Sequence, residues 1–481
     1  MTQTYPPRPV PQPAAPGSPA AIEAPTAPPA PPAGPPARRR PGPRAGIGWI
    51  VAGSLAGGLL AVVILVAAPF VAAQEGDLTG ALLCGFAVGW AMLAVLSVRF
   101  TDQPQRWAAA PALFMGLGGL LLMGFGSPVH GALNWLWPPA LLALVVWMSV
   151  RSRRQLRSRS ARLLLYPVIA LLAVASAGGG YETVREAVDA KAYPMPGRLI
   201  DVGGHRLHLH CTGSGSPTVV LEPGGGEMSS NLGWISPAVA RHTRVCVYDR
   251  AGRGWSESAR TPQDGAQIAS DLRTLLHRGR VPGPYVLAGH SFGGLYVLTF
   301  AARYPDEVAG MVLVDSTAPA SAAAPRTASS PDAGSIEVLG RVSALVSISA
   351  RLGLGRLYGQ FAFGSLPPQS RDEVRASLAT AGSLRSTIDE YVQASRSVQQ
   401  AASLTDFAGK PLVVLTADSG SDAAHRASQN HLATLSTDSV HRVIDGATHE
   451  KLVAGERESA ASTRAILDVV ASVRGARPLT G

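Results

Sequence analysis

The 481-residue sequence predicts an all-α membrane-spanning bundle followed by an α/β domain built on a mostly parallel sheet. Three observations carry that reading. Five apolar segments fall within residues 46–180, each close to the ~20 residues that a hydrocarbon core of ~30 Å requires. From about residue 196, short β-rich runs alternate with helical stretches and Gly turns, the pattern of a sheet covered on both faces. Within that half, "VLAGHSFGGLYVLTFAARYP" at 286–305 reads as a buried strand, a sharp turn carrying one serine, and a helix.

Residues 1–45 hold 16 of the 39 prolines, mixed with Ala and closed by Arg38, Arg39, Arg40 and Arg44. Such a stretch has too few apolar side chains to build a core and reads as a disordered, solvated tail. Its apolar sequel comes too late and runs too long for a signal peptide. The expected spans are 46–73, 78–98, 108–126, 133–150 and 161–179, with Trp49, Trp107, Trp135 and Trp137 near their ends as interfacial anchors. Gly and other small residues suit close helix packing in lipid. Residues 181–195 read as a linker.

The loops set an orientation. "RRRPGPR" precedes the first span and "QEGD" follows it; Arg99 and Arg106 flank the second loop; "SPVHGA" has no Lys or Arg; "RSRRQLRSRS" has five arginines. Positive and non-positive loops alternate, so the N-terminus is expected in the cytoplasm and everything after residue 180 outside it. The formal charge of +10 therefore reports membrane orientation rather than nucleic-acid binding. No Asp, Glu, Lys or Arg in a span interior marks an ion path, so the bundle reads as an anchor in the cell membrane.

In the second half, "GRLIDVGG" and "HRLHLHCTG" form an expected antiparallel hairpin, and "PTVVLEPGGG" a buried strand entering a Gly turn. "TRVCVYDRAGRGWS", "PYVLAGHSFGG", "VAGMVLVDST", "KPLVVLTAD" and "SVHRVIDGATH" continue the series, with a helix over 266–278. Gly289-His290-Ser291-Phe292-Gly293 fits G-x-S-x-G between strand and helix. Its glycines let the serine sit on a strained turn at a helix N-terminus, where developing negative charge is favoured. His205, His208 and His210 have the look of metal ligands, but strand alternation puts Arg206, His208 and His210 on one exposed polar face, and no metal is expected. "PGGG" lacks the lysine and Ser/Thr of a nucleotide loop, and no organic cofactor is expected.

Residues 196–475 resemble the α/β-hydrolase superfamily. "LEPGGG", "YDRAGRGWS", "AGHSFGGLYVLTFAARYPDEVAGMVLVDST", "KPLVVLTA" and "DGATHEKLV" match in order. The resemblance implies Ser291 as nucleophile, His449 as its base, and the backbone N–H groups of Phe292 and Gly225 as oxyanion donors. For the acid it leaves three candidates: Asp422, 27 residues before His449 and preferred; Asp315, ending the preceding strand; and Asp418. Asp249 and Arg250 are expected to lock a turn, His441 to be structural, and His290 to pack beneath the serine. The strands carrying Cys211 and Cys246 would be neighbours, which allows a disulfide, whereas Cys84 lies inside the second span. Residues 318–405 would form a helical lid whose apolar face lines an acyl pocket or touches lipid. The expected protein is a membrane-anchored serine hydrolase acting on a small-molecule or lipid ester. Serine at the elbow argues against relatives that use a carboxylate nucleophile, such as epoxide hydrolases.

Overall fold

Five long helices open the structure: α1 Ile47–Ala67, α2 Glu75–Phe100, α3 Ala109–Phe125, α4 Ser127–Gln155 and α5 Arg159–Ala192. The computed structural model describes residues 3, 6–13, 46–125, 127–319 and 333–479; most of the proline-rich tail, and the Ala/Ser/Pro opening of the lid, lie outside them. All five helices are long and apolar enough to cross a membrane. They close a ring, α1 packing on α2 and α5, and α4 joining α3 to α5. At the α1–α2 crossing a Cβ on Gly58 would lie 2.9 Å from the Gly89 Cα, so the two backbones meet with no side chain between them.

Two expectations for this half need adjustment. Trp107 is not an interfacial anchor: it is buried against Trp90 and Trp147 and donates its Nε1–H to Gln105 Oε1 at 2.7 Å. Trp137 stacks on Phe114 at 4.1 Å, while Trp49 and Trp135 remain exposed. The linker at 181–195 is helix as far as Ala192, because "YETVREAVDAKA" is rich in helix formers and carries α5 past the apolar stretch.

The second half is one eight-stranded sheet. Its strands are β1 Arg198–Asp201, β2 Arg206–Thr212, β3 Thr218–Glu222, β4 Val245–Tyr248, β5 Tyr285–His290, β6 Val308–Val314, β7 Leu412–Ser419 and β8 Ser439–Thr448. Their spatial order is β1-β2-β4-β3-β5-β6-β7-β8. β1–β2 and β2–β4 pair antiparallel and every other pair is parallel. The interior strands are buried on both faces, which is why they read as continuous apolar runs. Along β5, Leu287 enters the core under α7 (Gly265–Arg278) and α8 (Phe292–Arg303). Its neighbours Val286 and Ala288 enter the opposite core, under α6 (Ile235–Ala240), the short α15 (Lys451–Ala454) and α16 (Ser459–Gly475). Burying a side chain such as Leu287 or Val286 contributes about 1.5–3 kcal/mol.

Between β6 and β7 lie α9 Ala333–Ala350, α10 Leu354–Gly359, α11 Pro368–Leu378, α12 Ala381–Val392 and α13 Ala394–Ala401, the helical insertion expected as a lid. α14 (Ala423–Ala433) joins β7 to β8. Cys211 and Cys246 are register partners across β2–β4 and are joined by a disulfide.

Candidate active site

Ser291 sits between β5 and α8 with φ 52° and ψ −122°, a backbone conformation rare for a residue with a side chain. Two residues on, only glycine fits: a Cβ on Gly293 would lie 2.4 Å from the Glu222 carbonyl oxygen. The sheet's carboxyl edge thus delivers Ser291 at the head of a twelve-residue helix.

His449 follows β8 and sits over this turn. Its carbonyl accepts from His290 Nε2 at 3.2 Å, and the two imidazole centroids are 4.7 Å apart. Its Nδ1 lies 2.6 Å from Asp315 Oδ2. Asp315, at the end of β6, is buried and also receives His425 Nε2 at 2.8 Å and the Ala417 amide at 3.1 Å. Burial alone would raise its pKa; the hydrogen bonds from His449, His425 and Ala417 outweigh burial and hold it below the ordinary aspartate value.

The preference for Asp422 as the partner of His449 is therefore corrected. Asp422 is the N-cap of α14 and accepts the His425 amide at 2.7 Å. Asp418 is half-exposed and faces Arg426 at 4.0 Å. The physical reason is topological. Gly420 and Ser421 separate Asp422 from the end of β7 and leave it directly before α14, which it caps, whereas Asp315 at the end of β6 reaches the loop that carries His449.

His290 is buried beneath the serine and pairs with Glu227 at 3.1 Å. Burial alone would lower its pKa, but Glu227 raises it, and burial's upward pull on Glu227 is in turn outweighed by His290. His441 bonds Thr416 and Asn430 and is structural. The exposed histidine face of β2 is corrected: His208 is fully buried, bonded to Asp249 at 2.8 Å and to the Pro196 carbonyl at 2.6 Å, and covered by Trp255. The segment before β1 and the 249–257 loop fold over that face.

The Gly-rich loop after β3 is fixed from every side. Arg250 donates to the Pro223 and Gly224 carbonyls at 2.8 and 2.6 Å, and Arg253 to the Gly226 carbonyl at 2.9 Å. Glu227 accepts the Gly224 amide at 2.6 Å, and Glu390 of α12 accepts the Gly226 amide at 3.0 Å. Among the described residues, the Gly225 N–H has no hydrogen-bond partner. It lies beside Phe292, whose own N–H opens the first turn of α8 and has no partner within the helix. Tyr391, next to Glu390, packs its ring on Phe292 at 5.0 Å.

Beneath the loop is a buried charge network that sequence reading missed. Arg250 pairs with Glu222 at 2.6 Å and with Glu390 at 2.9 Å; Arg253 pairs with Glu390 at 2.9 Å; Tyr248 donates to Glu222 and Tyr296 to Glu390. The turn-locking role expected of Arg250 is present, but its partners include a lid residue 140 positions away. Burial pushes the Glu222 carboxyl from 4.5 up to about 7, against the lowering effects of Arg250 and Tyr248. A raised folded-state pKa gives stability that is complete below the unfolded value and is lost as pH rises through the folded one. The unfolding midpoint is thus expected to decline between pH 5 and pH 8, and Glu222→Gln to flatten that part of a thermal-unfolding pH profile.

The fold and this site define a class. Residues 217–450 match the family model described as alpha/beta hydrolase fold. The α/β domain belongs to the α/β-hydrolase superfamily, and a helical region with five apolar helices precedes it. Among curated proteins, an uncharacterized protein of Schizosaccharomyces pombe is 29% identical over 250 residues, covering 44% of each chain. An uncharacterized vacuolar membrane protein of Saccharomyces cerevisiae is 31% identical over 132 residues, 23% of this chain and 20% of that one. A 2-hydroxy-6-oxo-2,4-heptadienoate hydrolase of Pseudomonas putida is 31% identical over 124 residues, 24% and 44% of the two chains. The matched stretch spans less than half the length of each of these relatives. Solved structures with a similar fold include epoxide hydrolase CorEH, 21% identical with TM-score 0.45 over 58% of this chain and 99% of that one. Another is the enol-lactonase of Burkholderia xenovorans, 20% identical with TM-score 0.44 over 57% and 100%.

Proposed function

We propose that this protein is a membrane-anchored serine hydrolase that cleaves an ester-like bond through an acyl-enzyme, with its α/β domain on the extracytoplasmic side. The observation that carries the reading is the convergence of three parts: a strained Ser291 at a helix head, His449 bonded to Asp315, and the unpaired Gly225 N–H. With Asp315 ionised, His449 Nδ1 carries the proton it donates to that carboxylate, and Nε2 keeps the lone pair. Nε2 takes the Ser291 proton as Oγ attacks the carbonyl carbon. The oxyanion is held by the N–H groups of Gly225 and Phe292. His449 then gives its proton to the leaving group, and water activated by the same nitrogen releases the acid.

A carboxylate at the elbow would suit epoxide opening, and Ser291 does not supply one. The pairing of Asp315 with His449 weighs against a non-catalytic binding module. The test is pre-steady-state hydrolysis of p-nitrophenyl butyrate by the detergent-solubilised full chain. A burst of about one nitrophenolate per protein is expected from the wild type, and none from Ser291→Ala. Equal slow release from both proteins would overturn the reading.

A further inference from the structure

Between residues 338 and 361 the lid inverts the polarity of a surface segment. Its charged residues are Arg341, Arg351 and Arg356, and all three bond the helical bundle. Arg341 donates to the Val66 and Ala68 carbonyls where α1 ends, at 2.6 and 3.2 Å. Arg351 bonds Glu75 at the start of α2. Arg356 bonds Glu182 and Asp189 on α5, at 2.7 and 2.6 Å.

Apart from Gln360 and the Tyr358 hydroxyl, the outward positions are apolar. Val338, Val342 and Val346 follow one another at four-residue steps along α9, so they share a face. Leu354, Leu357 and Phe361, in and after α10, are exposed as well, Phe361 at 90%. Among the described residues of 196–319 and 405–479, Val443 is the single large hydrophobic side chain comparably exposed. Charges turned in and apolar side chains turned out is the arrangement of a protein surface that faces hydrocarbon.

The position of the segment fits. The ends of α1 and α5 and the start of α2 lie at one end of the ring, since successive helices alternate in direction. Ala344 of α9 is buried there in one apolar cluster with Ala68, Val71, Leu78 and Ala81. The Leu352 carbonyl lies on Gly178, where a Cβ would come within 2.5 Å of it. Gly178 is about 29 Å along α5 from Arg159, the far boundary of a ~30 Å hydrocarbon layer. The α9 part of the segment thus lies at the level where the apolar outer surface of the bundle ends, and the α10 part, tied to Glu182 and Asp189, lies on the outer side of it.

We propose that this face of the lid is seated in the bilayer leaflet on the hydrolase side, with lipid acyl chains as its partner. The inference rests on the membrane-spanning reading of α1–α5. The test uses the full chain, one copy per phosphatidylcholine nanodisc, in a Cys84→Ser background with the disulfide intact. A small environment-sensitive fluorophore is placed on Val342→Cys or Phe361→Cys. Leu59→Cys on α1 and Val443→Cys on the sheet domain serve as references; none of the four side chains belongs to a buried core. Quenching by nitroxide-bearing acyl chains is expected at 342 and 361 several-fold above that at 443, approaching that at 59. Quenching at 59 with 342 and 361 no different from 443 would overturn the seated lid alone. A blue shift at 342 and 361 without lipid quenching would mean protein covers the face, and would overturn it too. Absence of quenching at 59 would overturn the membrane-spanning reading and the inference with it.

Discussion

Replacing Asp315 with asparagine is expected to lower turnover of an ester substrate by about 10⁴-fold, with little change in folding. The amide keeps the shape but presents the wrong hydrogen-bonding group to His449 Nδ1, and it loses the charge that steadies the imidazolium formed during attack. Asp422→Asn is the matched control. Asparagine caps a helix about as well as aspartate, and the Asp422 side chain touches the α14 amide rather than His449, so its turnover is expected to stay at the wild-type level. Steady-state kinetics on the two variants decide the matter. A loss in Asp422→Asn with activity retained in Asp315→Asn would reverse the assignment. Because the Asp315 pKa is held below the ordinary range, its ionisation supports stability above that range, and the support is lost only as pH falls through the depressed value.

The second large effect belongs to Arg250. Replacing it with alanine leaves buried Glu222 with no cation beside it and buried Glu390 with Arg253 alone. Breaking a buried pair in this way costs about 3–5 kcal/mol, which for a domain of this size lowers the unfolding midpoint on the order of 10 °C. The loop carrying Gly225 also loses two carbonyl anchors, so activity is expected to fall before the protein unfolds. Arg206→Ala breaks the exposed pair with Glu257 and is expected to leave the midpoint nearly unchanged. Thermal unfolding followed by circular dichroism compares them. Equal, small shifts would mean that water, and not Glu222 and Glu390, compensates Arg250.

Local chemistry made much of this legible in the sequence. The apolar runs that become α1–α5 are long and apolar enough to cross a bilayer, so their length and composition announce them. Ser291 is readable because its strained turn demands glycines at fixed offsets, and Gly225 because the backbone of its loop must lie bare. Asp315 and Asp422 could not be separated. Each follows a strand, and the difference is whether the α14 N-terminus claims the carboxylate, a contact that spacing does not encode. The burial of His208 is illegible for a related reason: strand alternation assigns a face, and what covers that face is decided by the distant 249–257 loop. Glu390 was invisible as a partner of Arg250 because nothing near it marks burial; only the packed lid brings it beneath the Gly-rich loop. Its cue in retrospect is Glu222, a carboxylate ending an otherwise apolar buried strand, which requires a buried cation.

The central claim is that Ser291 is an activated nucleophile facing outside the cell. It is tested most directly by labelling intact cells that express the full chain with a membrane-impermeant fluorophosphonate, then comparing wild type with Ser291→Ala. The account predicts strong covalent labelling of the wild type and none of the variant. Labelling only after lysis would contradict the outward placement. A folded wild-type protein that takes up no probe in either preparation would contradict the activated serine itself.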